Sequence, residues 1–232
     1  MTHSRRNPSQ RFLDLVAQYR RMHLEGDTRH GLAPAETFDG RSLPRQASRI
    51  RNLIAATGAK TILDYGCGKG SQYRPAPVTE NGVPRWNSIQ EYWGVDAITC
   101  YDPGYTPFSR IPEGQYDGVI CTDVLEHCPE QDLGWIIDEL FGYATRFVFA
   151  NVACYPARKT LPNGENAHCT IISVERWKEL FESAAAKRPE LLWELWADVP
   201  RAQGHEEARV ANFVPRTSPV SAPKRVPTWK FV

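Results

Sequence analysis

The sequence predicts an α/β protein: a mostly parallel sheet with helices on both faces. Three observations predict it. From Thr61 onward, short apolar runs alternate with amphipathic stretches, the pattern of strand–helix–strand units. A glycine-rich turn follows the first of those runs directly. The composition is that of an ordinary globular chain, with 41% hydrophobic and 24% charged residues over 232 positions. This length favours one domain of generous size, with appendages. A net charge of +1 gives no field marking a general nucleic-acid binder. No run of about 18 apolar residues is present, which argues against a membrane-spanning helix. The polar N-terminus carries Arg5-Arg6 with no apolar core after it, so it does not read as a secretory signal. The six cysteines form no CxxC pair and read as reduced, small buried groups of a cytoplasmic protein.

Each element follows from its pattern. Residues 9–25 place Phe12, Leu15, Val16 and Tyr19 at helical spacing. Residues 26–40, with four Gly or Pro positions, read as a loop. Residues 45–57 form a second helix, stopped by Gly58. Strands are expected at 60–65, 93–101, 116–121 and 146–152, and helices at 131–144 and 174–186. Two late strands, 191–197 and 207–214, suit an antiparallel edge. The proline-rich stretch from Pro215 reads as a weakly ordered tail. His3, His23, His30 and His205 stand in polar contexts and are expected to be exposed. Trp135, Trp177, Trp193 and Trp196 are expected in the core, and Trp86 and Trp93 mainly as packing groups.

The most informative stretch is Asp64-Tyr65-Gly66-Cys67-Gly68-Lys69-Gly70, closing the first strand. Glycines allow a tight turn and a close backbone approach to a ligand, which is expected at the carboxyl ends of the strands. The spacing is GxGxG, not the GxGxxG of dinucleotide binders. The carboxylate of Asp64, two positions before the first glycine, would repel a pyrophosphate and suit an amino-bearing ligand.

From about Thr61 to Val214 the chain resembles the class I S-adenosylmethionine-dependent methyltransferases. The resemblance implies a Rossmann-like, seven-stranded, mostly parallel sheet, with S-adenosylmethionine as cofactor. Asp64, Gly66, Gly68 and Gly70 match the turn that wraps its methionine part. An acidic residue after the second strand would hold the ribose; Asp102, followed by Pro103-Gly104, is the better candidate and Asp96 the other. The distance from Gly70 to Asp102 is longer than usual in the family, and Pro75, Pro77 and Pro84 prevent a regular helix across 73–90. The stretch between Asp102 and Tyr116 is too short for the family's full helix and third strand, so no adenine ligand is assigned there.

The run Thr122-Asp123-Val124-Leu125-Glu126-His127 resembles the DVLEH motif of small-molecule O-methyltransferases, which implies that Thr122 and Asp123 touch the cofactor. If a helical turn starts at Asp123, then Asp123, Glu126 and His127 share a face. The long loop 153–170 adds His168, which adjacent strands would bring near His127. Two chemical readings compete with a plain structural role. A histidine acts as general base toward an acceptor hydroxyl, or Asp123, Glu126, His127 and His168 hold a divalent metal. The second is similar to the metal-dependent 2′-O-methyltransferases of small-RNA 3′ ends, though with Asp123 in place of Glu and no separate RNA-binding domain. At this level the metal is not favoured.

The resulting expectation is a helical cap at 1–58, a methyltransferase domain at 59–215 and a tail at 216–232. The expected activity is O-methylation of a small molecule or glycan, with nucleic acid and membrane as disfavoured partners. A metal-dependent RNA-end enzyme, a nicotinamide-dependent oxidoreductase and a non-catalytic cofactor-binding or partner protein remain as alternatives.

Overall fold

A computed structural model describes residues 3–38, 40 and 42–212. The expected tail 216–232 and the end of the last expected strand lie outside the described residues. The first helix, α1 (Gln10–Glu25), starts where the Ser9 side chain accepts from the Phe12 N–H and stops at Gly26, whose positive φ ends it. Helix α2 (Leu43–Thr57) ends at left-handed Gly58. The strands β1 (Thr61–Tyr65), β2 (Val78–Glu80) and β3 (Val83–Trp86) follow, then the short helix α3 (Ile89–Trp93). After β4 (Ala97–Tyr101) and β5 (Tyr116–Thr122) come α4 (Glu130–Tyr143), β6 (Ala144–Ala153) and α5 (Val174–Ala185). The chain closes with β7 (Leu192–Pro200) and β8 (His205–Ala211).

The main sheet runs β4-β1-β5-β6-β7-β8. All pairs are parallel except β7 with β8, the predicted antiparallel edge. Among the described residues it has six strands, not the expected seven. The stretch after β4 holds only the short turn Thr106–Phe108 before β5 begins, so the family's third strand and its helix have no chain to form them.

Apolar surface is buried on both faces. On one face α4 and α5 place Leu133, Ile137, Phe141, Trp177 and Phe181 against Val119, Val148 and Leu195. On the other, α2 and α3 place Ile50, Leu53 and Trp93 against Ile62, Ile120 and Phe149. Helix α2 thus belongs to the layered core, and of the described N-terminal residues α1 with residues 26–38 lies across the carboxyl ends of the strands. A third cluster joins Leu15 and Met22 of α1 to Leu161 and Ala167 of the loop after β6. The N-terminal end of α1 is fastened to α4. The Ser9 N–H and hydroxyl donate to the buried Asp132 carboxylate, and the Arg5 guanidinium donates to Glu139 and to the hydroxyls of Tyr65 and Tyr101. Among the described residues no helix is long and apolar enough to cross a membrane.

Candidate functional site

In this strand order the chain turns from β1 to β4 on one side and to β5 on the other. The carboxyl ends of β1, β4 and β5 therefore flank the topological switch point, where a crevice forms in open α/β sheets. The glycine turn leaves β1 at that point. Gly66 has a φ of 89°, and its N–H donates to the Tyr101 carbonyl at 2.7 Å. A Cβ there would lie 2.7 Å from Val124 Cγ1 and closer still to Cγ2, so only glycine fits.

Two carboxylates sit beside the turn. Asp64, 1% exposed, accepts through Oδ2 from the Tyr73 hydroxyl (2.7 Å) and Gln72 Nε2 (3.1 Å), while Oδ1 is buried without a partner. Asp102 accepts from the Gly68 N–H (2.9 Å) and the Gly104 N–H (2.8 Å), tying the glycine turn to the turn after β4. Burial pushes both carboxyls up to about 6. Asp96 is exposed at the opposite, amino end of β4, so Asp102 is the one placed at the crevice.

The acid–histidine run departs from the expected helical turn. Asp123 leaves β5 with a φ of 59° and an exposed side chain, and a 3-10 turn starts only at Leu125. Asp123 therefore reaches Glu126 without a helical turn, its carboxyl lying beside that of Glu126 but outside the tight group formed by Glu126, His127 and His168. The ligand-type atoms of that group all lie within 4.8 Å of one another. Glu126 is fully buried; Oε1 accepts from the Ala153 N–H at 2.9 Å and Oε2 has no partner. Burial first, then the Asp123 charge, holds its carboxyl well above the usual range.

The histidine rings stand 4.8 Å apart at 79°. His168 Nδ1 lies 2.6 Å from the Tyr155 carbonyl, and His127 Nδ1 lies 2.8 Å from the Ala167 carbonyl. A carbonyl only accepts, so each Nδ1 carries a proton, and in the neutral ring the lone pair is on Nε2. Burial and the neighbouring His168 push His127 down to about 4. The loop bearing His168 is stitched in place, since the Thr170 N–H donates to the Glu126 carbonyl (3.0 Å) and the Thr170 hydroxyl to the Cys128 carbonyl (2.6 Å).

Sequence reasoning missed two contributions from α1. The Tyr19 hydroxyl lies 2.8 Å from His127 Nδ1 and donates to the Ala167 carbonyl at 3.0 Å. His23, expected exposed, is 6% exposed. Its ring lies between Phe38 (centroids 4.6 Å, 41°) and Tyr105 (4.9 Å, 37°). Burial and the Lys69 charge push it down to about 4, which keeps it neutral. Phe38 adjoins Gly68, Tyr105 follows Asp102, and the Lys69 ammonium holds the overlying segment through the Pro34 and Thr37 carbonyls. A heteroaromatic ring is thus in tilted contact with two aromatic rings beside the crevice. If a nucleoside base enters that slot, His23→Ala should tighten S-adenosylhomocysteine binding by about 3- to 10-fold, the worth of one displaced aromatic contact. Equal or weaker binding, measured calorimetrically, would show that His23 leaves the slot free.

No protein-family model matches the chain, and no curated protein matches it. Among solved structures, it is similar to magnesium protoporphyrin IX methyltransferase from Synechocystis, determined with bound SAH. The sequences are 14% identical and the TM-score is 0.45, over 84% of this chain and 92% of that one. Likeness at that level decides nothing about chemistry, which has to be read from the side chains themselves.

Proposed function

We propose that the chain is an S-adenosylmethionine-dependent methyltransferase acting on a hydroxyl of a small molecule or a sugar. One observation carries the reading: two carboxylates, the buried Asp64 and the half-buried Asp102, flank a GxGxG turn at the switch point of the sheet. Such a wall repels a pyrophosphate and suits a cationic, amino-bearing nucleoside. The unpartnered Asp64 Oδ1 is the kind of buried acceptor a ligand's donor would satisfy. Asp102 accepts from the Gly68 and Gly104 N–H groups, with the Tyr105 N–H beside it, and a carboxylate's remaining lone pair can still accept a sugar hydroxyl. The cofactor supplies a methyl group on a sulfonium centre.

The chain's own task is alignment and proton removal. The lone pairs on His127 Nε2 and His168 Nε2 are the available bases, and one of them takes the acceptor's hydroxyl proton as its oxygen attacks. The low pKa of His127 keeps that lone pair free through the neutral range.

Calorimetric titration tests the cofactor. S-adenosylhomocysteine should bind and NADH should not. Asp102→Asn should weaken binding by about 10- to 150-fold, the worth of one hydrogen bond to a charged group. Both carboxyls titrate at about 6, so affinity should rise as the pH climbs through 6 and level off above it. Heat with NADH and none with S-adenosylhomocysteine would overturn the reading.

A further inference from the structure

The loop after β6 carries, besides His168, a cation that no described residue neutralises. Lys159 is half-buried, and its ammonium stands over the Phe38 ring, 5.6 Å from the centroid. Among the described residues that ammonium has no hydrogen bond and no ion pair. The cations around it are occupied within the chain. Arg11 pairs with Glu165, Arg29 donates to the Pro162 carbonyl, and Lys69 donates to the Pro34 and Thr37 carbonyls.

The backbone that carries Lys159 is braced. Its carbonyl accepts from the Ala167 N–H at 3.1 Å, and Thr160 pairs with Asn166 as an isolated bridge. The Asn166 side chain holds the N–H and the carbonyl of Ala157, and its oxygen also accepts from the His168 N–H at 2.9 Å. One loop therefore sets Lys159 and His168 together. Phe38, under the ammonium, adjoins Gly68 and the Tyr19 ring, and that ring meets His127 at 5.6 Å. Burial and His168 push His127 down, and the Lys159 charge adds to them, so the ammonium is felt at the reacting end. The opposing charge there is Asp123, which stands exposed at the β5 exit, beside Glu126. An anion is therefore drawn to the Phe38 side of the histidines.

We propose that Lys159 recognises an anionic group on the acceptor, so that the substrate of the proposed methyl transfer is a hydroxyl compound that also carries a carboxylate or a phosphate. The catalytic meaning rests on that methyl transfer; the anion site does not. A half-buried ammonium attracts an anion more strongly than one in open water. Holding the anion fixes where the hydroxyl lies relative to the two imidazoles, which is the alignment the reaction needs. No bond to Lys159 forms or breaks. The carboxylate of the cofactor's methionine part is another source of the same charge. The acceptor is favoured because the crevice of Asp64 and Asp102 opens at the exits of β1 and β4, whereas Lys159 leaves β6, with β5 between.

Titration calorimetry on the full chain tests this, with and without saturating S-adenosylhomocysteine. It compares glucuronate with glucose, glycerol phosphate with glycerol, and para-hydroxybenzoate with para-hydroxybenzyl alcohol. At least one anion should bind about 10-fold or more tightly than its neutral counterpart, the worth of a hydrogen bond to a charged group. Lys159→Gln should erase that margin and Lys159→Arg should keep most of it. Affinity for S-adenosylhomocysteine should stay within a factor of about two in both variants, as for separate sites. Three results would overturn the proposal. The first is that no anion is preferred in the wild type. The second is a preference that survives Lys159→Gln in a protein shown to be folded by circular dichroism. The third is a loss of S-adenosylhomocysteine affinity that methylthioadenosine does not share, which would put the ammonium on the cofactor's carboxylate. Binding of S-adenosylhomocysteine to the wild type judges the methyl-transfer reading separately. If it fails, the titrations without cofactor still decide whether Lys159 holds an anion.

Discussion

His168→Ala should lower methyl transfer by about 10²- to 10⁴-fold, the usual worth of a positioned acid–base group, while S-adenosylhomocysteine binding stays within a factor of about two. The two effects separate because His168 touches the Tyr155 carbonyl and the His127 ring, whereas the crevice proposed for the cofactor is walled by Asp64, Asp102 and the glycine turn. A second readout distinguishes a role at the reacting centre from a role in holding the loop. His168 is one of the groups that push His127 down, so removing it lets the His127 pKa rise. Protonation of His127 removes its lone pair, so activity falls as the pH drops through its pKa. With S-adenosylmethionine saturating, so that Asp64 and Asp102 no longer limit the rate, the acid limb of kcat/KM for the acceptor, near pH 4 in the wild type, should therefore move upward in the variant. Loss of turnover with an unmoved acid limb and weakened cofactor binding would mean that His168 merely props up the loop.

Much of the fold was legible because buried parallel strands advertise themselves. Thr61–Tyr65, Tyr116–Thr122 and Ala144–Ala153 are largely apolar runs, and all three are central strands. The stretch 93–101 misled because aromatic and β-branched residues follow one another there. Its first part ends helix α3, which Ser88 caps through its side chain and Gly94 stops in a left-handed conformation. Both caps were visible in the sequence, but a helix this short has no periodicity to read. The hairpin of β2 and β3 was hidden by Pro84, although Asn81-Gly82, both at positive φ, is a strong turn signal.

The site was legible where chemistry and spacing coincide. The Glu126-His127 pair and His168, on adjacent strand exits, come together as the strand order required. It was not legible where a contact is purely tertiary. Tyr19 and His23 are one helical turn apart on α1, and amphipathic spacing alone does not say which face meets the acid–histidine cluster. The helical turn expected at Asp123 does not form, because its backbone turns left-handed at the strand exit and the i, i+3, i+4 relation has no helix to act on, although its carboxyl still lies beside Glu126.

Gly66→Ala should destabilise the protein by about 2–5 kcal/mol, from backbone strain of about 1–2 and overpacking of about 1–3 kcal/mol. For a domain of this size that lowers the melting temperature by about 4–20 °C. The two contributions can be separated. The packing part arises because the new Cβ meets the Val124 methyls, so Val124→Ala in the same chain should recover it. The strain part belongs to the φ of 89° and should remain. Val124 precedes the turn Leu125–His127, so pushing it away from Gly66 also displaces Glu126 and His127. The single variant should therefore lose cofactor binding and disturb the reacting centre together, and the double variant should restore the second more fully than the first. Denaturant unfolding of the four proteins in this cycle gives the coupling energy directly. Additive losses, with no recovery in the double variant, would show that the glycine turn and the acid–histidine turn are not mechanically joined through Val124.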